Sequence, residues 1–365
     1  MSLKFLKFPF LVQTKIIQEM TFRNIFMLSL CSSRVLKIIS SIKFYYDIRR
    51  IRYIIGSNTI CAKLMAGKHG EDMYLLSLME CVSYYQQPAD NILELKMGDM
   101  VIKFRPRAMF SPQNEIVNYD LTYLEQYRDI APVALQNHVK CIFQNTLRVE
   151  ILVSSCRYLT NLPILENVKT SYLKGSQAVA SVLEEFLFVH NNQECVHIVP
   201  FISGNFNRNS EIFSIPKLYC KRSGFAAAAM IPSFTGNCLI LEQAKCDTVL
   251  LIQLLRKWVD KTAYQNLKMI RVSLFENYYF PHGFPRADVN LREILKDFKT
   301  KRWDRSNRPQ IYELDPQMVT SYVESVDCSQ FLDIEQEGGG KLGSVFITHD
   351  SFEFYVWDGD PRSSL

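Results

Sequence analysis

The chain has 365 residues, 48% of them apolar and 22% charged, with 42 Lys+Arg against 37 Asp+Glu and a formal net charge of +5. That length implies two or three domains with a sizeable core, and the even charge excludes a disordered, collagen-like or low-complexity chain. No apolar run reaches the ~18 residues of a membrane span, since the longest candidate, 25–42, is broken by Arg34 and Lys37. Ten cysteines contain no C-x-x-C pair, and no signal-peptide pattern precedes them. Free thiols in a reducing intracellular compartment, cytosol or nucleus, are therefore expected, with neither a disulfide framework nor a zinc module.

Charge is unevenly spread. Residues 1–56 hold ten basic groups against two acids, Glu19 and Asp47, a surplus of eight that leaves the remainder at −3. A basic head on a mildly acidic body implies an acidic partner: protein, nucleic acid or membrane surface. The head reads as three short helices. Phe8-Pro9-Phe10 is an extended entry, followed by Val12, Ile16, Ile17 and Met20 on one stripe. Thr21 can cap a second helix carrying Ile25 and Leu28, and Ser32 or Ser33 a third with Val35, Ile38, Ile39 and Ile42 in phase. So short a segment cannot bury three apolar stripes against one another, so part of that surface is expected to be an interface.

Residues 48–106 change to strand, turn and strand: Arg52–Ile55, Gly56-Ser57-Asn58, Thr59–Leu64, and again Ile92–Lys96, Met97-Gly98-Asp99, Val101–Phe104. A small, mostly antiparallel sheet is expected, with 73–85 either strand or helix and a boundary loop over 105–112. From residue 130, strand candidates centre near 150, 171, 197, 219, 240 and 270, on average about 24 residues apart, within the ~20–29 of leucine-rich-type repeats. Helices fall between them, opened by Pro132, Ser176, Asp247 and Asp288. Strands joined through helices must run parallel, which predicts an irregular leucine-rich-repeat-like αβ array, with a doubly wound sheet as the competing architecture. The tail returns to β: 331–335, 344–348 and 352–357 predict a meander, followed by a disordered stretch at 358–365. The fold class is mixed α/β.

Several catalytic patterns fail on their own chemistry. Gly338-Gly339-Gly340-Lys341-Leu342 has no Ser/Thr after the lysine and precedes a strand, so it reads as a hairpin turn, not a phosphate loop. His349, Asp350 and Ser351 are adjacent and cannot align as nucleophile, base and orienter. His190, Cys195 and His197 lack a partner pair, so no metal or other cofactor is expected. Lys43, Arg49, Arg50 and Arg52 interleave with Phe44, Tyr45, Tyr46 and Tyr53, and this basic aromatic stretch, 43–53, makes a nucleic-acid-binding module the alternative reading.

The head, Phe8-Pro9-Phe10-Leu11-Val12 through Ile16-Ile17-Gln18-Glu19-Met20 to Leu28-Ser29-Leu30-Cys31-Ser32-Ser33-Arg34, resembles an F-box of the nematode-type expansion. The far end is similar to the type 2 F-box-associated domain of the same proteins, through Leu254-Leu255-Arg256-Lys257-Trp258, Asn266-Leu267-Lys268, Leu291-Arg292-Glu293-Ile294-Leu295, Asp333-Ile334-Glu335, Gly343 to Phe346 and Phe352 to Trp357. Thr21-Phe22 departs from the pattern, standing where an acidic residue and a proline often separate helices one and two. The resemblance implies a non-catalytic substrate receptor of a Skp–cullin–F-box ubiquitin ligase. On this reading residues 5–45 are the F-box, 46–112 a β-rich connecting module and 130–357 the F-box-associated domain. It carries over Pro9, Val12, Ile16, Met20, Leu28, Leu30, Cys31 and Val35 as contacts to a Skp-family adaptor and, through it, a cullin. In a solenoid, alternate strand residues face outward on the concave surface. Those positions are Arg148, Glu150, Lys169, Ser171, His197, Tyr219, Ile240 and Arg271, with Tyr219 the expected aromatic anchor for a target protein.

Overall fold

A computed structural model describes residues 5–42, 48–57, 59–66, 71–81, 92–110, 116–143, 147–274, 291–319 and 324–357. The chain divides into two compact units, Met1–Thr170 and Ser171–Leu365. The first opens with α1 (Phe10–Gln18), α2 (Phe22–Cys31) and α3 (Ser33–Ser41). Thr21 Oγ1 accepts the Asn24 N–H and Ser32 Oγ the Arg34 N–H, each at 3.3 Å, so both expected caps satisfy amides that a helix start leaves open.

Six strands follow: β1 (Ile48–Ile55), β2 (Thr59–Ala66), β3 (Glu71–Cys81), β4 (Leu93–Met97), β5 (Met100–Phe110) and β6 (Ile116–Leu124). After α4 (Ile130–Phe143) comes β7 (Arg148–Val153). Pairing gives the spatial order β4–β5–β6–β3–β2–β1–β7, antiparallel except where β3 meets β6 and β1 meets β7. The ambiguous stretch is strand through Cys81, and 82–85 lie outside the described residues. The expected loop over 105–112 is strand as far as Phe110, where β5 stays paired with β6 from Phe104 onward, and 111–112 lie outside the described residues. The division between the two compact units falls at 170/171.

That division lies inside β8 (Val168–Leu173). The second unit continues with β9 (Gln177–Val179), α5 (Ala180–Val189), β10 (Cys195–Ser203), β11 (Lys217–Arg222), α6 (Ala226–Ser233), β12 (Cys238–Ala244), α7 (Thr248–Val259) and β13 (Met269–Leu274). Then come α8 (Leu291–Leu295), β14 (Thr300–Arg302), β15 (Ile311–Glu313), β16 (Ser325–Asp327), β17 (Leu332–Glu335), β18 (Leu342–Ile347) and β19 (Ser351–Val356). Strands β9 to β13 run parallel in chain order; β19, β18, β17 and β14 then add on antiparallel beside β13. The predicted meander thus caps the parallel array. Gly338 and Gly339 take φ of +70° and +71° in the turn between β17 and β18, a conformation open to glycine.

One face of this sheet carries the helices. Cys220 faces Met230 of α6, and Phe354 meets Trp258 of α7 edge to face at 4.8 Å between ring centres. Asp247 caps α7 through the Leu250 N–H at 2.8 Å, as its position predicts. Ser176 does not cap α5. Its carbonyl accepts the Phe201 N–H at 3.0 Å, which starts β9, and α5 begins only after Val179. The proposed start of the fourth helix at Asp288 lies outside the described residues, as does the tail at 358–365. Among the described residues no helix is long and apolar enough to cross a membrane.

Candidate functional site

Within the first unit the head is joined firmly to α4. Phe22 of α2 meets Phe143 at 6.0 Å, Phe26 meets His138 edge to face at 5.2 Å, and Ser40 donates to the Cys141 carbonyl at 2.8 Å. The departure at Thr21-Phe22 therefore has a structural use: Thr21 caps α2 and Phe22 anchors it. His138 receives the Gly98 N–H at Nδ1 (3.2 Å), which leaves the ring proton on Nε2, 2.7 Å from Ser29 Oγ. Burial pulls the His138 pKa down to about 4, so the imidazole is neutral at pH 7.

This packing buries Ile17, Ile25, Phe26, Ile39 and Ile42 and leaves the outer side of α1 bare. Pro9 precedes the helix at φ −55°, and Gln13 ties the entry turn back by donating to the Phe8 carbonyl at 2.8 Å. Gln13 and Ile17 are the buried positions of α1; Phe10, Val12 and above all Leu11, 80% exposed, face outward. Leu11, Val12, Ile16 and Met20, with Lys15 and Glu19 beside them, form an open, mostly apolar strip along one side of α1. Lys7, Arg34 and Lys37 are exposed elsewhere on the head.

Of the expected adaptor contacts, Pro9, Val12 and Cys31 are exposed and Ile16, Met20 and Leu28 half-buried. Leu30 and Val35 require correction: at 7% and 4% exposure they belong to the interior of the head and present nothing to a partner. Phe10 and Leu11 went unassigned, because the helical stripe picks the Val12–Ile16 row and not the residues beside it.

The outward positions of the array are corrected more broadly. Glu150 is fully buried in the first unit, bound by Arg52 at 2.7 Å and Arg50 at 3.4 Å. Arg148 and Lys169 are half-buried in the same unit. In the second unit the strand register aligns His197, Tyr219, Ile240, Arg271 and Glu353 as one row, with Cys195, Lys217, Cys238, Met269 and Tyr355 beside it. These rows do not form an open concave surface. A strap, described over 311–319 and 324–331, lies over them, packing Leu314, Met318, Cys328 and Phe331 against Cys195, Tyr219, Cys238, Ile240, Met269 and Tyr355. His197 stacks on Tyr172 at 4.7 Å and lies 2.9 Å from the Gln317 carbonyl; Ser171 donates to Gln193 at 3.0 Å. Tyr219, 7% exposed, donates to Glu242 at 3.0 Å, and burial followed by that carboxylate pushes its hydroxyl pKa up. The expected aromatic anchor is thus a core residue. Arg271 stays half-exposed, 3.7 Å from Glu353. The physical reason is simple: a row of Tyr, Ile, Met and Cys is too apolar for water, and the chain supplies its own cover.

The strap is latched at its base. The Arg308 guanidinium, 1% exposed, donates to both Asp333 oxygens at 2.9 and 3.1 Å and to the Cys328 carbonyl at 2.8 Å. Asp333 also accepts the Ser344 hydroxyl at 2.6 Å, so the buried pair is fully engaged.

The basic aromatic stretch loses members to the fold as well. Arg50 and Arg52 are held by Glu150, and Tyr53 is buried; 43–47 lie outside the described residues. Among the described residues no group of three His, Cys, Asp or Glu is arranged to hold a metal ion. His190 lies 3.2 Å from the Phe186 carbonyl, while Cys195 and His197 both approach the carbonyl of Gln317. Comparison of the chain with family models, with curated proteins and with solved structures finds no match in any of the three.

Proposed function

We propose that the chain is an F-box-type substrate receptor: the α1 face docks on a Skp-family adaptor, and the second unit, an irregular leucine-rich-repeat-like array closed by a meander, holds a target protein. The reading is one of binding, not catalysis, with a cullin reached through the adaptor, in cytosol or nucleus. One observation carries it. Leu11, Val12, Ile16 and Met20 form an open apolar strip on a head whose α2 and α3 pack against each other and α4. Burying one such side chain contributes ~1.5–3 kcal/mol, and a stable interface needs ~800 Å² per partner. The surplus of positive charge in residues 1–56 favours approach to an acidic adaptor.

Pull-down of the full chain with a purified Skp-family adaptor tests this. Wild type is expected to retain the adaptor, and Leu11→Asp with Val12→Asp to lose at least about tenfold in affinity. Both side chains are exposed on α1, so the melting temperature should stay within ~2 °C. Leu30→Asp, by contrast, should unfold the head. Failure of the wild-type chain to retain the adaptor removes the ligase reading.

A further inference from the structure

The parallel strands of the second unit end at an edge where several described apolar side chains are exposed. Phe201 closes β10 opposite Arg222 of β11. Its ring lies on Gly224, where an added Cβ would come within 3.0 Å of Phe201 Cε2 and where φ is +51°. Gly224 in turn bridges to Ala244 at the end of β12, and its carbonyl accepts the Lys245 N–H at 2.9 Å. Phe225 follows, 68% exposed, with the Lys245 ammonium 4.3 Å from its ring centre. Val179 at the end of β9 and Val249 in the first turn of α7 are exposed as well. Two phenylalanines and two valines therefore share the rim of one sheet, where a well-folded surface would ordinarily place polar side chains.

Charge at this edge has one sign left over. Lys221 and Arg222 are exposed and make no hydrogen bond or ion pair among the described residues. With Lys245 they make three cations along 221–247 against two carboxylates, Glu242, which accepts the Tyr219 hydroxyl, and Asp247, which accepts the Leu250 N–H. The C-terminal ends of parallel strands are also where open α/β sheets bind their ligands.

We infer that the edge formed by Phe201, Arg222, Phe225 and Lys245 docks an acidic peptide segment of a protein partner, an aliphatic or aromatic residue of that segment seated between the two phenylalanine rings. Complementary carboxylates answer Lys221 and Arg222, while the apolar anchor covers Phe225. A nucleic acid fits less well: phosphate tracking needs a longer run of cations, and here the cations are few and flanked by valines. The inference rests on the receptor reading only in calling the partner a target; the docking itself stands without it.

Random dodecapeptides displayed on phage, panned on the full chain, test the proposal. Enriched peptides should carry an excess of Asp and Glu around a Leu, Ile or Phe. Fluorescein-labelled synthetic copies should bind about tenfold more weakly when salt rises from about 0.05 to about 0.5 M. They should also lose at least about tenfold in affinity to Arg222→Glu with Phe225→Ser, both surface changes. No enrichment overturns the proposal, as do neutral or basic enriched peptides, binding that ignores these substitutions, or tighter binding of a labelled oligouridylate. Adaptor capture measured on the same double variant should be unchanged. With the wild-type chain, peptide binding without adaptor capture would sink the receptor reading alone, and adaptor capture without peptide enrichment would sink only this one.

Discussion

His138 shows how one residue couples local sequence to stability. It sits on α4, faces Phe26 and Ser29 of α2, and takes the Gly98 amide proton from the turn after β4. The Gly98 contact needs the neutral ring, because Nδ1 accepts an amide proton only while it carries none of its own. The unfolded chain takes up a proton near the ordinary pKa of 6.5, whereas the folded protein resists until about 4. Between those values the unfolded state binds more protons, so stability falls as pH drops from 6.5 toward 4 and is complete above that window. The loss can reach ~3 kcal/mol. Urea unfolding at pH 7 and pH 4.5 checks this. His138→Gln should start less stable at pH 7 yet lose less over the interval, and equal losses in both proteins would contradict the assignment. His190, whose pKa burial also lowers against the opposing Phe186 carbonyl, supplies part of the remaining acid sensitivity.

At the scale of elements, the strap decides what the second unit can offer. Cys195, Cys238 and Cys328 lie beneath or within it; burial raises Cys238 to about 11 and Cys328 to about 12. Cys220 is equally buried but faces α6 on the other side of the sheet. Met318→Asp places a charge in the apolar layer between strap and strands and should lift the strap. Alkylation at pH 8 with peptide mapping should then label Cys195, Cys238 and Cys328 in the variant while Cys220 stays protected. Cys31 and Cys141, exposed in the first unit, should label in both proteins. Labelling of Cys220 at the same rate would mean the unit unfolds as a whole and the strap has no independence. α1 is the opposite case, an element whose outer face no other described part of the first unit covers.

At the scale of the whole molecule, each unit has its own interior: Phe26, Ile25 and Ile39 among the large fully buried residues of the first, Trp258, Phe352 and Phe354 among those of the second. Phe26→Ala and Trp258→Ala should each cost ~3–5 kcal/mol, but in different cores. Denaturant unfolding followed by amide exchange is expected to show Phe26→Ala destabilising residues before 170 and Trp258→Ala those after. A single transition shifted equally by both would refute the division.

Local order along the chain was legible from the letters alone. The three head helices with their Thr21 and Ser32 caps, the alternation that makes 52–55 and 59–64 a hairpin, the spacing of strands near 197, 219, 240 and 270, and the closing meander are all short-range properties. Each depends on periodicity and capping within a few residues, which sequence states directly. Which face of an element meets solvent is a different kind of question, because cover can come from a hundred residues away. Residue type could not announce that Leu314, Met318, Cys328 and Phe331 would pack over Tyr219 and Ile240, or that Leu30 and Val35 would be buried in the head. Nor could it show that Glu150 would be wrapped by Arg50 and Arg52, or that Phe225 would end up bare. Burial is a long-range property of the folded chain, and the surfaces open to a partner were settled only by tertiary packing.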